Sequence, residues 1–154
     1  RCGYTVVPKD ITASTLTGER IPLNHLWYRR QCTKFNGTSY LSQRAAQAIY
    51  TQEGKEQVKE TISYYMRNAH KMKETLTKLG LEVYGGENAP YLWVKTPNGE
   101  GSWRFFEQML YDAHVVCTPG VGFGPSGEGY IRLTAFGQQE KTDEALLRIE
   151  NWLK

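Results

Sequence analysis

Cysteine, histidine and proline are all scarce in this 154-residue sequence, at three, three and six residues. Cys2, Cys32 and Cys117 are odd in number and far apart, and none sits in a Cys-x-x-Cys pair or near a histidine at ligand spacing. That excludes a zinc site and a disulfide framework, so metal sites are expected to be none. Free thiols suit a reducing compartment, the cytoplasm or a plastid. His25, His70 and His114 form no cluster and are expected to be ordinary surface or half-buried residues. No apolar run approaches the roughly 20 residues a bilayer crossing needs, so no membrane partner is expected. Charge of one sign is not concentrated either. The net charge is +3, only Arg29 and Arg30 are adjacent among the basic residues, and no nucleic-acid partner is expected.

What is present is the composition of a globular protein, 40% hydrophobic and 12% aromatic. The sequence opens on Arg1-Cys2-Gly3 without an initiator methionine and runs at once into the apolar stretch Tyr4–Val7. Chain ends are usually polar and frayed, so the opening reads as the interior of a longer polypeptide. The expectation is a C-terminal portion of a longer protein.

Tyr4–Val7 reads as a buried strand stopped by Pro8, and 9–22 as a polar loop with a short helical turn. Asn24 is placed as the N-cap of a helix through Leu26, Trp27 and Arg30, interrupted at the Asn36-Gly37 turn signal. Ser39 opens a second helix whose buried face carries Leu41, Ala45, Ala46, Ala48 and Ile49. Val58, Ile62, Tyr65, Ala69, Met72, Leu76 and Leu79 then alternate in steps of four and three, one apolar seam along a helix of roughly 25 residues. Gly80 is its stop. Beyond it the pattern predicts strands at 81–84, 91–95, 115–117 and 130–134. Ser102 caps a helix burying Trp103, Phe106, Leu110 and Ala113, and an amphipathic helix over 139–153 closes the chain. Strands alternating with helices after a long helix predict an α/β fold.

Two features point to chemistry. Gly122, Gly124 and Gly127 satisfy Gly-x-Gly-x-x-Gly, but a strand follows them where a dinucleotide site needs a helix. No Gly-Lys-Ser/Thr makes the stretch a P-loop, and a surface loop using left-handed backbone is the plain alternative. Arg132 lies between Ile131 and Leu133 inside a strand. Arginine there is costly to bury unless paired, and its planar fork fits a carboxylate with two parallel bonds. The partner is either a glutamate of the same chain or a bound carboxylate, and from the residues alone both remain open.

Several segments in order carry a resemblance: Arg1-x-Gly3, Phe35-Asn36-Gly37, Asn88-Ala89-Pro90-Tyr91, Thr118-Pro119-Gly120-x-Gly122-Phe123-Gly124-Pro125, and Arg132-Leu133-x-Ala135-Phe136-Gly137. Together they resemble the fold type I aminotransferases that use pyridoxal phosphate, over essentially the whole chain. The Phe-Asn-Gly and Gly-Phe-Gly-Pro-x-Gly-Glu-Gly segments narrow this to the branch that forms diaminopimelate. The resemblance implies the end of the large cofactor-binding domain over 1–55, then a long connecting helix and the small C-terminal α/β domain over 56–154. It implies pyridoxal 5'-phosphate as cofactor and a homodimer as the working assembly.

Residue by residue, Arg1 matches the arginine that binds the cofactor phosphate in a Ser-Lys-x-x-x-x-x-x-x-Arg-x-Gly motif. The cofactor-bearing lysine is therefore expected just upstream of Arg1, and no lysine or other residue of this chain is assigned a catalytic role. Arg132 matches the arginine that grips the substrate's α-carboxylate. Asn36 matches a substrate-binding residue that reaches into the partner's active site, its plainer role being an Asn-Gly turn. Asn88 is expected only to shape the turn before Pro90. The implied reaction moves an amino group between glutamate/2-oxoglutarate and tetrahydrodipicolinate/LL-2,6-diaminopimelate, towards lysine. The alternatives are a sister aminotransferase for aspartate, alanine or an aromatic amino acid, or an isolated C-terminal domain without catalysis. Without the lysine this chain alone is expected to be inactive, and Trp27, Tyr28 and Tyr40 are expected to expose apolar surface.

Overall fold

The computed structural model describes residues 2–154. The chain divides into two compact units, one ending at Val58 and one spanning Lys59–Lys154. The architecture is α/β.

The first unit begins with extended chain. Among the described residues no strand pairs with Tyr4–Val7, and Tyr4 is 85% exposed, so the expected buried strand is absent. Strands form instead where a loop was expected. β1 (Thr12–Ser14) pairs antiparallel with β2 (Arg20–Pro22), Ala13 opposite Ile21. Three-residue strands are too short to leave a readable alternation. Gly18, at φ +85°, closes the hairpin by donating its N–H to the Thr15 carbonyl at 3.0 Å.

Helix α1 (Leu23–Arg30) starts at Pro22, not Asn24. Asn24 lies in the first turn, where its Nδ2 donates to the Val7 carbonyl at 2.6 Å and ties down the extended segment. The helix runs on into a π-helical turn, Gln31–Phe35, stopped by Asn36 in the left-handed region at φ +65°. Helix α2 (Tyr40–Ala48) follows. Its expected apolar face is not buried: Leu41 is 80% exposed, and no residue of 2–58 is buried.

Helix α3 (Gln52–Lys78) carries the four-three seam, but only its second half is covered. Ala69, Met72 and Leu76 are buried, whereas Val58 and Ile62 are exposed. Gly80, at φ +85°, ends it, and the Leu81 N–H folds back to the Leu76 carbonyl at 3.1 Å. The second unit then builds one antiparallel sheet in the order β3-β4-β6-β5. Its strands are β3 (Val83–Gly85), β4 (Tyr91–Lys95), β5 (Thr118–Pro119) and β6 (Tyr130–Thr134). The expected strand at 115–117 is displaced to β5, leaving Val116 72% exposed. Between β4 and β5 runs α4 (Ser102–Tyr111), and α5 (Gln139–Leu153) follows β6.

Alternation sends Leu92, Val94, Ile131 and Leu133 to one sheet face. There they share a core with Ala69, Met72 and Leu76 of α3, Phe105 and Met109 of α4, and Leu146 and Ile149 of α5. The buried face of α4 thus centres on Phe105 and Met109, with Ala113 buried just beyond its end, and Trp103, expected inside, is 59% exposed. Nor does the Ser102 side chain cap α4. Ser102 is its first residue and wholly buried, its N–H donating to Glu128 Oε1 at 2.8 Å and its Oγ donating to the Gly127 carbonyl at 3.1 Å. The first turn of α4 holds no acid of its own, so Glu128 supplies the missing negative charge from a distant loop.

A candidate carboxylate-binding site

The opposite face of the sheet is aromatic and cationic. The pairing register sets Trp93 of β4 and Thr118 of β5 on either side of Arg132, with Tyr91 beside Thr134 and Lys95 beside Tyr130. Arg132 is half-buried there. Its Nε is buried without a hydrogen-bond partner, and among the described residues no carboxylate forms an ion pair with it. An intramolecular salt bridge is therefore not what holds this cation in the strand. Two rings do so: Cζ lies 4.6 Å from the Phe123 ring centroid and 5.1 Å from that of Tyr91.

Those rings sit in a larger row. Phe123 meets Trp93 edge to face at 5.7 Å, and Trp93 stacks on Tyr130 at 5.5 Å. Tyr91 meets Phe136 at 5.3 Å, which in turn meets Tyr65 at 4.9 Å. Lys95, at the far end, is paired with Glu82 at 2.9 Å, and the hydrogen bond and charge of that carboxylate raise its pKa. Lys95 is therefore engaged, whereas the Arg132 fork keeps its donors.

The Gly-rich segment is a scaffold for Phe123. It folds into two 3₁₀ turns, Gly120–Phe123 and Pro125–Gly127. A Cβ on Gly120 would run into the Gly127 carbonyl oxygen, and one on Gly127 into the Gly120 carbonyl. Two strands of backbone cross here at a distance only glycine permits. Left-handed backbone is needed only at Gly124, φ +120°, and Gly129, φ +77°. Asn68, buried in α3, donates from Nδ2 to the Ala135 and Gly137 carbonyls at 3.3 and 2.9 Å. It thereby fixes the chain directly after β6. Asn68 was not singled out in the sequence, where it is a lone amide between Arg67 and Ala69.

A concavity of about 430 Å³ lies along α3, lined by Tyr64, Tyr65, Arg67 and Phe136 among others. Arg132 does not line it. The candidate site rests on the chemistry of Arg132, not on depth. Of the other residues singled out in the sequence, Arg1 lies outside the described residues. Asn36 stands exposed in the first unit at the end of the π-helical turn, in a left-handed conformation that asparagine tolerates. Asn88 is exposed in the loop before β4. Among the described residues no group of histidine, cysteine and acid side chains could hold a metal ion, and no helix is long and apolar enough to cross a membrane.

The chain belongs to the class I and II aminotransferases, whose family model matches residues 1–149. Enzymes of this class use pyridoxal phosphate. Within it, the chain is 75% identical over 153 residues to an LL-diaminopimelate aminotransferase of Bacteroides fragilis, covering 99% of this chain and 37% of that protein. It is 58% identical over 149 residues to the Methanosphaera stadtmanae protein of the same name, covering 97% and 36%. The solved L,L-diaminopimelate aminotransferase of Chlamydomonas reinhardtii superposes with a TM-score of 0.85 at 40% identity, over 95% of this chain and 35% of that one. The chain thus spans little more than a third of the length of the curated relatives it matches.

Proposed function

We propose that this chain is the part of a pyridoxal-phosphate aminotransferase that grips the substrate's α-carboxylate, and that the substrate pair is glutamate/2-oxoglutarate and tetrahydrodipicolinate/LL-2,6-diaminopimelate. One observation carries the reading: Arg132 is set into a strand, braced by rings, with a buried Nε that nothing in the described chain satisfies. A buried donor without a partner is costly, and a bidentate carboxylate would offset that cost while fixing the orientation of Cα. Both amino acids carry an α-carboxylate, so one arginine serves both half-reactions.

When bound, the cofactor acts as the electron sink that makes the Cα proton labile. The work proposed for Arg132 is to hold the carboxylate so that this proton faces the base. Arg1 is proposed to bind the cofactor phosphate. Asn36, lifted on its left-handed turn, is proposed to contact substrate in the partner subunit of a homodimer. The unit ending at Val58 is read as the tail of the large domain and Lys59–Lys154 as the small domain, in an enzyme of the reducing cytoplasm.

The test uses the full-length polypeptide and follows 2-oxoglutarate-dependent consumption of LL-diaminopimelate. Arg132→Ala is expected to lower kcat/KM by about a hundredfold or more for both amino-acid substrates, the loss of a charged bidentate contact of about 3 kcal/mol. Arg132→Lys recovers only part, because an ammonium lacks the fork. Wild-type enzyme that ignores LL-diaminopimelate but turns over aspartate, alanine or an aromatic amino acid would overturn the substrate assignment.

A further inference from the structure

We infer that Phe123 and Tyr91 are positioning residues: they hold the Arg132 guanidinium in its carboxylate-binding orientation while leaving its N–H donors unspent. The inference rests on the reading of Arg132 as the carboxylate clamp. An arginine on a strand needs something to fix its long side chain, and two kinds of support are available. An acid would fix it through its N–H groups, which are the groups a substrate carboxylate must use, and would compete with substrate. An aromatic face attracts the cation through its π cloud and leaves the in-plane donors free.

The structure uses the second kind. The Phe123 and Tyr91 centroids stand 4.6 and 5.1 Å from Cζ. Each ring is itself braced by an edge-to-face neighbour, Phe123 by Trp93 and Tyr91 by Phe136. The ring of Phe123 is further fixed by its loop. Gly124 and Gly127 close successive turns onto the Val121 and Gly124 carbonyls at 3.0 and 2.9 Å, and Ser102 Oγ clamps Gly127 from α4. This gives the Gly-rich segment a purpose that neither a dinucleotide fingerprint nor a plain surface loop supplies. Phe123 is 54% exposed, so its ring is held beside the cation without being needed to fill the core.

The experiment uses full-length holoenzyme and glutarate, which is glutamate without the amino group and cannot be transaminated. Its Kd is measured by calorimetry, beside kcat and KM for glutamate. Phe123→Leu keeps most of the apolar bulk and removes the ring. It is expected to weaken glutarate binding and raise KM for glutamate by the same factor, about three- to tenfold, with kcat nearly preserved. Tyr91→Leu is expected to do the same, and Phe123→Tyr, which keeps the ring, to hold wild-type affinity. An unchanged glutarate Kd in both leucine variants overturns the inference, even if thermal stability falls, because packing alone would then explain the rings. Loss of affinity in Phe123→Tyr equal to that in Phe123→Leu also overturns it. Arg132→Ala separates the two levels. If it leaves glutarate binding intact, the clamp reading itself fails; if it abolishes binding while the ring variants do not move it, only the positioning role falls.

Discussion

Residue environments set which side chains can react. Cys117 is buried, and burial pushes its thiol up to about 12. Cys2 and Cys32 are exposed. Iodoacetamide at pH 8.5 is therefore expected to label two cysteines in the folded chain and the third only after denaturation, as read by mass spectrometry. The same shift has a sign for stability. The unfolded thiol loses its proton above about 8.5 while the folded one keeps it, so stability falls as pH climbs from that range towards 12. Cys117→Ala should flatten that slope in urea melts recorded between pH 8 and 11. Asn68→Ala leaves the carbonyl of buried Ala135 without its amide donor and is expected to cost about 1–3 kcal/mol, measurable as a lower urea midpoint. Sequence alone drew attention to Arg132 because its immediate neighbours are apolar. Asn68 escaped notice because its partners are main-chain carbonyls of Ala135 and Gly137, far away in the chain.

At the level of elements, legibility followed length and periodicity. The long helix α3, its Gly80 stop, strands β4 and β6 and helix α5 all stand where the pattern placed them. Helix α4 stands in place with its buried face centred on Phe105 and Met109; Phe106 packs half-buried against the same core, and only Trp103 of the expected inner residues is exposed. The hairpin β1–β2 and the π-helical turn were not legible, the first for brevity and the second because an extra residue in a turn leaves no periodic mark. The Gly-rich loop was conspicuous, but which glycine needs what depends on backbone from two loop positions meeting. Gly120→Ala should therefore cost about 2–4 kcal/mol, since the new methyl meets rigid backbone. Glu128→Ala, which frees the first N–H of α4 and removes a favourable charge, should cost only about 1 kcal/mol. Thermal melts of the two variants ought to fall in that order, and the reverse order would mean the loop relaxes around the methyl.

Taken whole, the molecule is uneven. Among the described residues, Lys59–Lys154 holds every buried hydrophobic one, while Tyr28, Tyr40 and Leu41 of the first unit are each at least 70% exposed. The isolated chain is expected to bind a hydrophobic dye strongly, and a version starting at Gln52, which keeps α3 whole, to bind much less and melt cooperatively. Equal dye binding by the two would locate the exposed apolar surface in the second unit instead. The open face of the sheet and the unburied first unit are legible only in three dimensions, because a hydrophobic residue reads the same in sequence whether or not anything covers it. The lack of any buried side chain in residues 2–58 also has an enzymological corollary. To a protease, an uncovered segment is substrate and a packed one is not. Mild digestion of the isolated chain should nibble through the hairpin, α1 and α2, then stall within α3 where Ala69 and Met72 go under cover, leaving a resistant remnant that still contains Arg132 and both of its rings.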